Sequence, residues 1–145
     1  MAYKDFSFFS VLRVRWSEVD MQSVVFNGNY LNYFDVAFTD YWRETRLPDA
    51  EMQFKKKLEL FVRKVEIQYY YPAHFDEILE IGVRCDKLGN TSLNFCIEIY
   101  NQKKLIVSGD ILYVFVNSKL HLSKKIPKKW REKLINFEQN KNVKI

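Results

Sequence analysis

The sequence predicts an α+β domain in which a five-stranded antiparallel sheet is wrapped around one long helix, with a second helix closing the chain. Three observations lead there: an unbroken apolar helical segment near the start, one strand-like run ahead of it, and four successive strand-like runs after it with no long helix between them. A chain of 145 residues that is 48% hydrophobic carries enough apolar material for one core. Residues 1–138 are therefore read as a single domain and residues 139–145 as a polar tail.

The opening run, residues 9–19, interleaves Val11, Leu12, Val14 and Trp16 with Arg13, Arg15 and Ser17, which predicts a strand with one wet face ending near Asp20. From Asn29 to Arg46 there is neither Gly nor Pro. Leu31, Tyr33, Phe34, Val36, Ala37, Phe38, Tyr41 and Trp42 cover most of a helical circumference, whereas Asn32, Asp35, Thr39 and Arg43 fall at i, i+3, i+7 and i+11. That spacing leaves a narrow polar stripe on a helix enclosed by other structure. Asn27 or Asn29 is the expected cap, with Gly28 giving the backbone latitude at the entry.

After Leu47-Pro48 a short helical connector is expected through Lys57. The next run places Val65, Ile67, Tyr69 and Tyr71 on one face, and the following one sets Leu79, Ile81, Val83 and Cys85 against Glu80, Arg84 and Asp86. Leu93, Phe95, Ile97 and Ile99 oppose Asn94, Cys96 and Glu98 in the third. The fourth, Leu105 to Val116, turns apolar on both faces from Ile111 onward, as a strand covered on both sides does. Pro127 to Glu138 closes the domain as an amphipathic helix presenting Trp130, Leu134 and Phe137.

Composition narrows the chemistry. No stretch approaches the roughly 18 apolar residues of a membrane span, and no signal-peptide pattern follows the N-terminus, so the expected address is the cytoplasm. Cys85 and Cys96 form no C-x-x-C pair, and His74 and His121 are the only histidines, so no metal site is expected. There is no G-x-S-x-G turn. The net charge of +5 reads as a mildly basic surface with no nucleic-acid motif. What remains for catalysis is carboxylates and backbone.

One stretch carries more. Trp16-Ser17-Glu18-Val19-Asp20-Met21-Gln22-Ser23-Val24-Val25-Phe26-Asn27-Gly28-Asn29-Tyr30-Leu31 resembles the signature of the 4-hydroxybenzoyl-CoA thioesterase family, in which an aspartate precedes an aliphatic-aliphatic-aromatic run leading into a helix. Asp20, Val24, Val25, Phe26, Asn29, Tyr30 and Leu31 match. Tyr71-Pro72-Ala73, the opening at Asp76 to Leu79 and the turn at Gly89 to Ser92 are similar too. The resemblance implies a hot-dog fold and hydrolysis of an acyl-CoA thioester. It makes Asp20 the nucleophile or general base and the Asn27 backbone amide the oxyanion donor, and it lets Phe26, Gly28 and Tyr30 meet the substrate. No cofactor is implied beyond the CoA of the substrate.

Chemistry independent of the resemblance agrees. A thioester carbonyl is activated and its thiol leaving group has a pKa near ~8.5, so little acid assistance is needed. Amides opening a helix suit a developing oxyanion. Taken alone, an Asp at a strand end reads as a turn former, Glu18 as a solvated charge or a second site carboxylate, His74 as an exposed turn residue, and Tyr69, Tyr70 and Tyr71 as strand packing. Ser23 stands where the family pattern has Gly, and a positive φ there would strain it. An acyl-carrier thioester as substrate, or a non-catalytic acyl-thioester-binding protein, is left open by the residues. Exposed sheet edges predict a homodimer or homotetramer, and by resemblance the site would lie between subunits.

Overall fold

The structure, a computed structural model, describes residues 2–47, 58–117 and 119–138. The connector expected at 48–57 and the tail at 139–145 lie outside the described residues. In chain order the elements are β1 (Phe9–Arg13), α1 (Asn29–Glu44), β2 (Leu58–Tyr69), β3 (Ile78–Leu88), β4 (Ser92–Asn101), β5 (Lys104–Asn117), β6 (Leu122–Ser123) and α2 (Lys128–Phe137). The main strands pair antiparallel in the order β1-β3-β4-β5-β2, and β6 adds to β5. This is the predicted sheet around one helix, with a sixth strand that the pattern did not announce. Two residues are too few to show a period, and β6 is held only where Leu122 and Ser123 meet Asn117 and Val116.

The core forms because α1 turns Tyr33, Phe34, Ala37 and Tyr41 onto the inner face of the sheet. There they meet Leu79, Ile81, Val83, Phe95, Ile97, Ile99, Val107 and Phe115, the alternate residues that the strand period puts on one side. Gly109 in β5 sets how closely the helix can approach. A Cβ built there would lie 2.4 Å from Phe34 Cε2, so only a residue without a side chain lets that ring rest on the strand. Trp130 of α2 packs edge-on against Phe115 and Trp42, each with ring centroids 4.7 Å apart, which docks the closing helix on the same core.

Several boundaries moved for identifiable reasons. The first strand stops at Arg13, and Trp16–Glu18 is a 3-10 turn, because the Glu18 carboxylate reaches back to the Arg15 amide and guanidinium. α1 begins behind Gly28 with no side-chain cap, since the Asn29 amide group is spent on the Glu18 carbonyl. Its outward face includes Leu31 and Val36 beside the polar stripe, so the stripe is wider than expected. Cys96 and Glu98, on the face opposite the aliphatic one, are buried under an N-terminal cover of Tyr3, Phe6 and Phe9 that also packs on Tyr100. Among the described residues β2 pairs with β5 on one side only, and Phe61, Val62, Val65 and Tyr69 remain exposed on it.

Candidate active site

The segment between β1 and α1 folds into a small hairpin. Val19 bridges Val25, the Asp20 amide donates to the Val24 carbonyl at 2.9 Å, and the Ser23 amide donates to the Asp20 carbonyl at 2.9 Å. Ser23 takes φ 64, the left-handed conformation that a glycine would adopt freely. Asp20 Oδ1 accepts the Gln22 amide at 2.8 Å, so one oxygen of this carboxylate organises its own turn.

Glu18 holds the hairpin against the fold. Its side chain is buried and accepts the Arg15 amide at 2.8 Å, the Tyr33 hydroxyl at 3.0 Å and a two-pronged contact from the Arg15 guanidinium. Its carbonyl receives the Phe26 amide at 3.0 Å and the Asn29 side chain at 2.9 Å. Burial pushes the carboxyl upward, but the hydrogen bonds from Arg15 and Tyr33 outweigh it and hold the group below its ordinary range. The choice between solvated charge and second site carboxylate thus resolves into neither: Glu18 is a structural anchor that fixes the approach to α1.

On the other side, Val24 bridges His74, the Val25 amide donates to Ala73, and the Ala73 amide donates to the Tyr30 hydroxyl at 3.1 Å. Burial raises the Tyr30 phenol, with the Ala73 hydrogen bond opposing it, so at neutral pH the hydroxyl keeps its proton while accepting from Ala73. These ties leave a cleft of about 270 Å³ at the entry of α1, lined by Val25, Asn27, Tyr30, Tyr69, Tyr70, Tyr71 and Pro72. The Asn29 amide turns back to Phe26 and the Tyr30 amide to Asn27, while the Tyr69 hydroxyl donates to the Asn27 carbonyl at 3.3 Å. No acceptor among the described residues takes the amides of Asn27 or Gly28. The entry therefore carries free donors at the positive end of α1, next to an aromatic cleft.

The candidate residues are thus only partly gathered. Asn27 and Tyr30 line the cleft, Gly28 opens the helix beside it, and the exposed Phe26 ring packs over Gly28. Asp20 lies across the hairpin, paired with Val24, and is not part of the cleft lining. Tyr69, Tyr70 and Tyr71 are exposed cleft residues and not the strand packing that was expected. The signal was present: three consecutive aromatics cannot all face a core when side chains alternate, and β2 stops at Tyr69, ahead of Pro72.

Two more clefts adjoin Glu77, which lines both along with Asn101 and Gln102. His74 is exposed, as expected, and its ring nitrogen lies 3.0 Å from Glu77 Oε1, while Asn101 donates to the other oxygen. Burial pushes the Glu77 carboxyl up, and the bonds from Asn101 and His74 more than compensate, leaving it lowered. Lys104 sits over the Tyr71 ring at 3.5 Å, a cation that the strand reading did not single out. Among the described residues no group of three His, Cys, Asp or Glu is placed to hold a metal ion, and no helix is long and apolar enough to cross a membrane.

Comparison with known proteins gives the family and the fold. Residues 22–108 match the model of the thioesterase superfamily, and the chain belongs to that family. It is 27% identical over 118 residues to the acyl-CoA thioester hydrolase YbgC of Escherichia coli O6:H1, covering 81% of this chain and 87% of that protein. It is 24% identical over 132 residues to the acyl-CoA thioesterase YbgC of Helicobacter pylori, covering 84% and 96%. The fold is that of Slr0204, a 1,4-dihydroxy-2-naphthoyl-CoA thioesterase from Synechocystis, with TM-score 0.83 at 15% identity over 89% of this chain and 96% of that one. The architecture is a hot-dog fold, as the resemblance implied, and the chain is a thioester hydrolase by family.

Proposed function

We propose that this protein is an acyl-CoA thioesterase, releasing a free acid and CoA, with Asp20 as the catalytic carboxylate and the Asn27 amide as the oxyanion donor. The observation that carries the reading is the pair of free amides at Asn27 and Gly28, opening α1 beside a tyrosine-lined cleft in a member of the thioesterase superfamily. The curated relatives from Escherichia coli and Helicobacter pylori are named for acyl-CoA hydrolysis, which supports the choice of substrate.

The carbonyl oxygen of the thioester is received by the Asn27 amide, where the α1 dipole and the free donors favour negative charge. Asp20 draws a proton from an attacking water, or adds to the carbonyl carbon itself, in which case the mixed anhydride left after thiolate loss is hydrolysed by water to release the acid and restore the carboxylate. The tetrahedral intermediate collapses by expelling the CoA thiolate, whose pKa near ~8.5 makes it a good leaving group at neutral pH. Phe26, Gly28 and Tyr30 border the acyl group. Lys104, beside the neighbouring clefts, supplies a cation for the CoA phosphates.

Asp20 pairs with Val24 across the hairpin and is not among the residues lining the cleft that Asn27 enters. That placement outside the cleft lining favours a site completed between subunits, with Asp20 of one chain facing pocket residues of its partner. The open edge of β2, with Phe61, Val62 and Val65 exposed, is the surface on which a second copy would extend the sheet. Two unpaired, buried cysteines are in keeping with the cytoplasm as the working compartment.

The test is thiol release from a panel of acyl-CoAs. The wild type should cleave at least one, and Asp20→Asn should fall to background while keeping the wild-type elution volume and melting temperature. Full activity of that variant would remove Asp20 from the mechanism, and an active monomer on sizing would remove the shared site.

A further inference from the structure

We propose that the end of the sheet opposite the cleft is a docking surface for an anionic lipid bilayer. The two ends are set by β2, which runs from Leu58, paired with Asn117, to Tyr69, paired with Val107 next to the cleft. At the Asn117 end the chain leaves β5, makes a tight loop and returns as β6. Leu120 and Leu122 stand on that loop and its return, 61% and 62% exposed.

The loop is built, and its leucines are held outward. Asn117 Oδ1 accepts the Lys119 amide at 3.0 Å and the Leu120 amide at 3.3 Å, and the His121 amide closes back on the Asn117 carbonyl at 2.8 Å. The return is fixed by the Lys124 amide donating to Phe115 at 2.7 Å and the Ile126 amide donating to Asn90 at 2.9 Å. Nothing among the described residues covers either leucine beyond this partial packing.

Charge identifies the partner. From Asn117 to Phe137 the chain has one acidic residue, Glu132, against Lys119, Lys124, Lys125, Lys128, Lys129, Arg131 and Lys133. Arg131 is engaged with the Gly89 carbonyl and Lys133 with the Arg46 carbonyl, while Lys128 makes a loose 3.9 Å contact with Glu132. Lys119, Lys124, Lys125 and Lys129 are exposed with no anionic partner among the described residues. Two exposed leucines on a segment that also carries these exposed lysines match a surface that is negative outside and apolar beneath. A nucleic acid would satisfy the lysines and leave the leucines unexplained, and an acidic protein would not call for a protruding apolar tip.

The chemistry at the cleft is independent of this surface, so the two can be separated. Co-sedimentation with vesicles of phosphatidylcholine alone and of phosphatidylcholine with 30% phosphatidylglycerol at low salt is the direct measurement. The wild type should bind the anionic vesicles at least tenfold more tightly than the neutral ones. Leu120→Ser with Leu122→Ser, and separately Lys124→Glu with Lys125→Glu, should each weaken that binding about tenfold or more. Both double variants should keep wild-type melting temperature and turnover of a soluble acyl-CoA. Failure of the wild type to bind anionic vesicles would overturn the proposal, as would full binding by the leucine variant. Capture by an immobilised acidic protein without any vesicle binding would reassign the patch and overturn it equally.

Discussion

Replacing Ser23 with glycine should stabilise the protein, although it removes a side chain and makes no new contact. Ser23 is exposed at φ 64, and its hydroxyl has no hydrogen-bond partner among the described residues, so little is lost with it. A left-handed backbone costs an L-residue roughly 1–2 kcal/mol, and glycine gives back about 0.5–1 kcal/mol through its freer unfolded chain. The net gain is about 0.5–1 kcal/mol, which in a domain of this size raises Tm by roughly 1–4 °C. The turn itself should survive, because the Ser23 amide and the Asp20 carbonyl that close it are both backbone. Thermal denaturation followed by circular dichroism measures the shift, with Ser23→Val as the opposing control. Valine, branched at Cβ, should lower Tm from the same starting point. A glycine variant that melts below the wild type, or a valine variant that matches it, would refute the strain argument.

Glu18 and Gly109 give two further tests. Glu18→Gln removes the charge that anchors Arg15 and Tyr33 and should cost about 2 kcal/mol. Because the Glu18 carboxyl is lowered in the folded state, its contribution is present above the ordinary carboxylate range and is lost as pH falls through the lowered value. Wild-type Tm should therefore fall more steeply between pH 6 and pH 3 than that of Glu18→Gln, and parallel profiles would contradict the anchor role. Gly109→Ala forces a methyl against Phe34 and should cost about 1–3 kcal/mol, or roughly 3–10 °C. Phe34→Leu in the same chain should recover part of that loss, and simple additivity of the two effects would show that they do not touch.

The fold was legible because its long elements obey clear periods: α1 in its buried Tyr33, Phe34, Ala37 and Tyr41, β3 and β4 in their alternating aliphatic residues. What was not legible depended on contacts between distant segments. Nothing local in Cys96 or Glu98 announces that Tyr3, Phe6 and Phe9 will cover them, or that Gly82 is bare so that Phe6 can sit there. The same holds at the site. Asp20, Asn27 and Tyr30 stood out through a family pattern in one continuous stretch. The walls contributed by Tyr69, Tyr70, Tyr71 and Pro72 come from the far end of β2 and arrive only through the pairing of β2 with β5. Glu18 was misread because its partners include Tyr33, fifteen residues away on the helix.

The division of labour between the two carboxylates of the hairpin follows from where each is held. Glu18 is enclosed, supplied with donors on both oxygens and kept ionised by them, which makes it a poor base: every lone pair it would offer a proton is already committed. Asp20, two residues later, has one oxygen tied to the Gln22 amide and the other without a partner among the described residues. A carboxylate fixed by one oxygen and available through the other is held in orientation, which suits the role proposed for Asp20. The anchor is what allows this. Phe26 and Asn29 are both tied to the Glu18 carbonyl, so the arm bearing Asp20 and the arm leading to the Asn27 amide are set by one residue. If Asp20 and the Asn27 amide act as proposed, loosening Glu18 should therefore lower kcat through the geometry of both, with Glu18 itself committed to Arg15 and Tyr33.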